Sequence, residues 1–395
     1  MISLTRQQVL AFRQHQQFLS PRAAPGEILQ VTALGIQNTP PDSALLAIGA
    51  RLDRFSREEF DLALETRKSL LQIWSLRSAP YISPVADYPV FTTGISPTTE
   101  AECLFLMRGA ADHLRRFGLT ATWAVELTAG ALQTVFAPGT PLTKDELGVR
   151  LAGQVRQYLP ASLQEAWDEP DGMRTNTFGQ SIVRYALSVV SLSGILCSVP
   201  LPGVRAAGYM LTDSWLGYPP SSMDIMKARA ELVRRFAHYY GPCDRNGFTH
   251  WAGVSPEYVR HSWSLISAEL IPVMVNHHKK WIPAADLDFI QNAQPAVGVH
   301  LLPPHDPYLS APDKDLLVPE DSLRRQIWRV VGSPGAVLNN GEIVGIWRPN
   351  KRGRALSIEI SLFSPENDLD RASVEQAAQR MASLRKSSLA SIRYL

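Results

Sequence analysis

The chain has 395 residues, 45% of them hydrophobic and 19% charged, which suffices for folded cores in roughly two to four domains. Its net charge of +2 is too mild to announce a nucleic-acid partner by composition, because a dedicated DNA-binding module usually carries a stronger basic bias. The three cysteines, Cys103, Cys197 and Cys243, are far apart, odd in number and outside any Cys-x-x-Cys spacing, so a disulfide framework and a zinc site are not expected.

The apolar stretch Val9–Leu19 is interrupted by Arg13, Gln14, His15 and Gln17, which excludes a signal peptide or membrane span there and makes the cytoplasm the expected location. Ser56 before Glu59, and Thr99 before Glu102, have capping-box spacing, so the opening is mainly helical. Asp42 is expected to cap a short helix through Leu52, and Pro40-Pro41 stops any helix ahead of it. Gln37 then sits at a helix end, facing a groove. A second module opens near Pro141, with Thr143 placed to cap and Glu146 three residues on. A helix from Phe178 to Ser193 ends at Gly194, and strands Ile195–Val199 and Ala206–Leu211 flank the turn Pro200-Leu201-Pro202-Gly203. Helices followed by a two-stranded ribbon are the order of a winged helix, with Arg205 near the wing tip.

The plan repeats from Ala228 to Gln291. A helix over Ala230–Tyr240 stops at Gly241-Pro242, Phe248–Ala252 reads as a short turn, and Ser255-Pro256 opens a helix to Ala268. That last helix occupies the recognition slot and offers Tyr258, Arg260 and His261 for outward contacts. Ile271–Val275 and Trp281-Ile282 would form its wing. Beyond Pro295 the pattern changes to strands: Ala336–Leu338 and Glu342–Trp347 join through Asn339-Asn340-Gly341, and Leu356–Leu362 alternates. A final helix, Ser373 to Lys386, is expected to pack on that sheet.

Several ordered segments resemble the tandem winged-helix DNA glycosylases typified by the azinomycin-resistance and interstrand-crosslink enzymes. They are Ala33–Asp42 with its Gln37-Asn38-Thr39, Glu231–Phe236, Tyr240-Gly241-Pro242, Trp251–Ser255, Leu301–Leu309, Gly335–Leu338 and Gly341–Arg348. The resemblance implies an α+β chain of three tandem winged-helix modules, at 1–130, 131–225 and 226–292, and a C-terminal small β-barrel or sheet domain with a final helix at 293–395. It also implies a monomer that hydrolyses the N-glycosidic bond of bulky, N7-alkylated or crosslinked purines in damaged double-stranded DNA, with no cofactor and no metal. The family reads Gln-x-Gln or Gln-x-Asp where this chain has threonine second, and its Arg-Gly-Thr-x-His-like segment after a tryptophan survives here only as Arg77 behind Trp74.

An N7-alkylated guanine is already cationic and departs neutral, so the protein has mainly to hold the lesion, stabilise sugar charge and place a water. Gln37, through its amide carbonyl, is the candidate to orient that water, with Asn38 and Thr39 beside it. Thr39 cannot serve as a carboxylate base. Two other readings stay open: a non-catalytic winged-helix protein that binds damaged DNA or regulates transcription, and a family member recruited to a genotoxic small molecule. Candidate phosphate contacts are Arg77, Arg205, Arg348, Lys351, Arg352 and Arg354, although each basic cluster, including His277–Lys280 and Arg234-Arg235, reads first as a solvated face. His277 and His278 are adjacent and point apart, a poor metal pair. His305-Asp306 reads as a turn anchor in preference to an acid–base pair. No nucleophile elbow, phosphate loop or dinucleotide fingerprint is present.

Overall fold

The computed structural model describes residues 1–136, 139–172, 175–201, 204–364 and 369–395. Local capping starts several of its helices. Ser56 accepts from the Glu59 amide at 3.1 Å ahead of helix Arg57–Asp61, and Thr143 and Glu146 close a full capping box ahead of helix Lys144–Arg156. The same box recurs at Thr177 and Gln180, ahead of helix Phe178–Val190. A 3-10 turn, Ser191–Ser193, extends that helix, and Gly194 stops it with a φ of 79°, a left-handed conformation that glycine adopts without steric penalty.

Asp42 departs from expectation. It precedes helix Ser43–Arg51 but makes no cap bond; its carboxylate goes to Arg57 at 2.7 Å. Asn38 does the capping instead, its Oδ1 accepting from the Ala44 amide at 3.2 Å. Phe248–Ala252 likewise is no turn but part of helix Arg245–Ala252, which Asp244 caps by accepting from the Gly247 amide at 2.7 Å. Packing drives it: the rings of Phe248 and Trp251 lie 5.2 and 5.1 Å from Phe236 of helix Ile225–Tyr240.

Three sheets organise the chain. One five-stranded antiparallel sheet runs in the order Ile36–Gln37, Pro80–Pro84, Leu70–Trp74, Leu196–Leu201, Val204–Leu211, so that hairpins far apart in sequence meet where Gln72 pairs with Ser198. A three-stranded sheet combines the hairpin Leu270–Val275 and His278–Pro283 with Ile2–Leu4, which lies parallel to its first strand. The C-terminal sheet places Val299–Leu302, Gly335–Asn339, Glu342–Arg352 and Ala355–Leu362 side by side. Its last strand, Ser388–Tyr394, was not expected from the sequence; it joins parallel to Ala355–Leu362 after the helix Arg371–Leu384. That helix is the crossover a parallel pair requires.

Helix Ser43–Arg51 is buried along its whole length between this helix and the first sheet. Gly49 permits the approach, since a Cβ there would meet Leu384 at 2.3 Å. Arg51 and Asp306, both fully buried, form a two-armed ion pair at 2.8 and 2.7 Å that ties the helix to the connection between Val299–Leu302 and Gly335–Asn339 of the C-terminal sheet. Among the described residues no helix is long and apolar enough to cross a membrane.

Candidate active site and nucleic-acid interface

Gln37 lies on an edge strand directly opposite Tyr81, and cross-strand partners share a face of the sheet. The hairpin that carries Tyr81 turns at Leu76–Ser78, where Arg77 and Ser78 have φ of 55° and 54°. This turn aims Arg77 back over the strand. Its Nη2 donates to Gln37 Oε1 at 2.9 Å and to the Tyr81 hydroxyl at 2.8 Å, while Nη1 donates to the Trp251 carbonyl at 2.7 Å. Tyr81 itself donates to Gln37 Oε1 at 3.4 Å. Gly253 leaves room for the turn, because a Cβ there would sit 3.0 Å from Arg77 Cα. Burial raises the pKa of the Tyr81 hydroxyl against the opposing charge of Arg77, so it stays a neutral donor.

A guanidinium has donors only, which fixes the carboxamide: Oε1 must face Arg77 and Nε2 must face away. Both lone pairs of Oε1 are then engaged. The role the sequence suggested for the carbonyl therefore passes to the amide NH2, a donor that can hold a water by its oxygen or meet an acceptor on a substrate. Gln37 keeps 8% exposure for that purpose.

Asn38 is committed to structure, with Nδ2 donating to Gln72 Oε1 at 2.6 Å and Oδ1 capping the next helix. Thr39 is exposed and lines a cleft of about 350 Å3 walled by Phe60, Leu64 and Trp215. Among the described residues that cleft carries Asp42, Asp61 and Glu65 and no lysine, arginine or histidine. Glu65 forms no ion pair among the described residues. Arg77 lines a second groove, of about 550 Å3, with the opposite character: among the described residues, His250, His305, Lys314 and Arg329 lie along it and no carboxylate does. Burial, then the charge of Arg77, lower the pKa of His305 and of Lys314. Both spaces fall in the size range of ligand sites. Asn38 and Thr39 thus line the cation-tolerant cleft, while Gln37 is tied to the anion-attracting groove through its bond to Arg77.

The other candidates separate. Tyr258 is a correction: it is 2% exposed, its hydroxyl donates to the Gly94 carbonyl, and the Arg229 guanidinium covers its ring at 4.4 Å, so it belongs to the core and cannot reach outward. Arg260 and His261 are exposed on the same helix, Pro256–Ser264, with Arg260 only 3.4 Å from Glu257. Arg348 donates to the Gly332 carbonyl at 3.3 Å and Lys351 to the Arg385 carbonyl at 3.2 Å. Arg352 and Arg354 stand exposed at a hairpin tip with no ion pair among the described residues. The Arg205 side chain lies outside the described residues. Arg234 and Arg235 are tied to Glu269, Glu231 and Asp87. His277 and His278 face solvent, and no cluster among the described residues could hold a metal ion. Asp306 is the buried partner of Arg51, a structural anchor. All three cysteines are buried and free. Sequence reasoning missed Tyr81, Gly253, Lys314 and Arg329; the only local signal for the first was its spacing of four from Arg77.

Residues 32–384 match the family described as DNA glycosylase AlkZ-like. A curated relative, the interstrand DNA cross-link repair glycosylase of Streptomyces sahachiroi, is 26% identical over 359 residues, 86% of each chain. The solved structure of Streptomyces sahachiroi DNA glycosylase AlkZ covers 100% of both chains with a TM-score of 0.76 at 21% identity.

Proposed function

Because the chain belongs to the DNA glycosylase AlkZ-like family, matched from residue 32 to residue 384, we propose that it hydrolyses the N-glycosidic bond of bulky, N7-alkylated or crosslinked purines in double-stranded DNA. It acts as a cytoplasmic monomer. Three stretches of helices followed by a hairpin support a reading as tandem winged helices, at 1–130, 131–225 and 226–292, the third completed by the strand Ile2–Leu4. The sheet and helix of 293–395 close the array. The carboxylate-free groove along Arg77 and Lys314 suits the phosphate backbone.

The observation that carries the reading is the Gln37 carboxamide, locked by Tyr81 and by Arg77 of the groove, two residues ahead of Thr39 of the cleft. In hydrolysis a water oxygen bonds to C1′ as the C1′–N9 bond breaks and the pair of electrons returns to the cationic base, which leaves neutral. The water gives up one proton. Gln37 Nε2 holds the water by its oxygen, and the Glu65 carboxylate of the cleft takes up its proton, directly or by relay through the Thr39 hydroxyl. Such weak assistance is adequate for a labile bond, general acid–base help being worth only about 100- to 10,000-fold.

Release of base from an N7-alkylated duplex, with an unmodified duplex as control, tests this. Gln37→Ala should lower the rate by about 100-fold, and Thr39→Asp should raise it by placing a carboxylate nearer the water. If neither wild type nor variant releases base while the duplex still binds, the threonine at the second motif position marks a non-catalytic binder of damaged DNA.

A further inference from the structure

On the rim of the carboxylate-free groove, the chain leaves helix Asp321–Ile327 and passes through Trp328 to Pro334. Trp328 is anchored, its Nε1 donating to the Leu309 carbonyl at 2.9 Å and its ring lying 5.2 Å from Lys314 Nζ. Two residues on, Val330 and Val331 are 103% and 85% exposed, the two most exposed large apolar side chains among the described residues. They are adjacent in sequence and buried against nothing, although β-branched apolar side chains at a loop tip gain no folding energy from water.

The loop beneath them is held. Ser333 Oγ donates to the Arg329 carbonyl at 3.0 Å, Arg329 Nε to the Gln326 carbonyl at 3.3 Å, and both Arg348 Nη atoms to the Gly332 carbonyl at 3.3 Å. Gly332 supplies the turn with a φ of 68°. A tip fixed in this way loses little entropy on docking. Its surroundings are cationic: Arg329 and Lys314 line the adjoining groove with Arg77, and among the described residues no carboxylate lines it.

An apolar point flanked by cations fits a partner with an anionic rim and a flat apolar interior, which describes a base stack between two phosphate backbones. We propose that Val330 and Val331 form a wedge that enters the DNA duplex beside the Gln37 segment and unstacks a base step, while Arg329 and Lys314 take the adjacent phosphates. Apolar side chains inserted between base steps are a known way to kink and open a duplex. The inference rests on the glycosylase reading and adds to it the element that opens the duplex at the lesion.

The test uses the full chain with Val330→Ser and Val331→Ser together, and a duplex carrying 2-aminopurine beside an abasic analogue. Wild type should brighten the probe by unstacking it. The double variant should lose that rise and bind the duplex about tenfold more weakly (about 1.4 kcal/mol). Its salt slope should be unchanged, since no charge is removed, and its affinity for single strands should also be unchanged. Both positions are exposed, so the thermal midpoint should hold; Val330→Leu with Val331→Leu should retain the brightening. A serine variant that brightens the probe like wild type overturns the wedge while leaving the glycosylase reading intact. Absence of duplex binding by wild type overturns both, and tip-dependent capture by anionic phospholipid vesicles without unstacking assigns the tip to membranes.

Discussion

Arg77→Lys keeps a positive charge at the hairpin tip and removes the fork that orients Gln37. Arg77 holds three acceptors at once, Gln37 Oε1 at 2.9 Å, the Tyr81 hydroxyl at 2.8 Å and the Trp251 carbonyl at 2.7 Å. An ammonium is a point donor and cannot reproduce that planar arrangement. A hydrogen bond to a charged group is worth about 1.5–3 kcal/mol, and screening of an exposed side chain brings the Gln37 contact to about half of this. If Gln37 acts by being held in place, about 0.8–1.5 kcal/mol is lost from the transition state, or roughly four- to twelvefold in rate. The assay is single-turnover base release from an N7-alkylated duplex at saturating protein, paired with duplex affinity measured across a salt series. Orientation predicts a slower rate with affinity and salt slope intact. The reasoning is refuted if the lysine variant keeps the full rate while Arg77→Ala reduces the salt slope by about one, because Arg77 would then be a phosphate contact.

Asp306→Asn should destabilise the chain by about 3–5 kcal/mol, since Arg51, fully buried with it, would be left without its counter-charge; hydrogen exchange across Ser43–Arg51 reads the loss, and unchanged protection would sink the idea. Burial, followed by the charges of Arg22 and Arg51, pushes the pKa of His300 from 6.5 down to about 3. The folded state therefore refuses a proton that the unfolded chain accepts, so this contribution is complete above pH 6.5 and is lost as pH falls toward 3, by at most about 1.4 kcal/mol per pH unit. The melting temperature of His300→Gln should fall less steeply than that of wild type from pH 6.5 to 4.5, and parallel curves would show that His300 is not responsible. Arg352→Gln with Arg354→Gln should reduce the salt slope of duplex binding by about two without altering the melt; an unchanged slope would turn the hairpin tip away from DNA.

Features set by neighbours three or four residues apart were legible in the sequence. Ser56, Thr143 and Ser255 cap the helices that their spacing announces. Asp42 and Asn38 offer the same oxygen chemistry, and the choice between them is made by Arg57, whose position no local pattern reveals. Tyr258 could have been placed correctly, because Val259, Ser262 and Trp263 mark the inner face of its helix while Glu257, Arg260 and His261 mark the outer. The engagement of the Gln37 carbonyl was out of reach, for it depends on the strand register that sets Tyr81 opposite and on a left-handed turn at a non-glycine residue. Strand Ser388–Tyr394 also escaped notice: its pairing relies on a crossover helix and its sequence is only weakly apolar.

The parallel pairing of Ile2–Leu4 with Leu270–Val275 puts a clock on the newborn chain. At translation speeds of about 5–20 residues per second, the partner strand leaves the ribosome roughly 15–50 s after the first. Throughout that interval Leu4, Val9 and Phe12 lack the Val273, Val275 and Ile282 side chains that later enclose them. The segment 2–12 is housed only once residues about 270 positions later have been made, and a synthesis run halted before residue 270 would leave its apolar face exposed to chaperones and proteases.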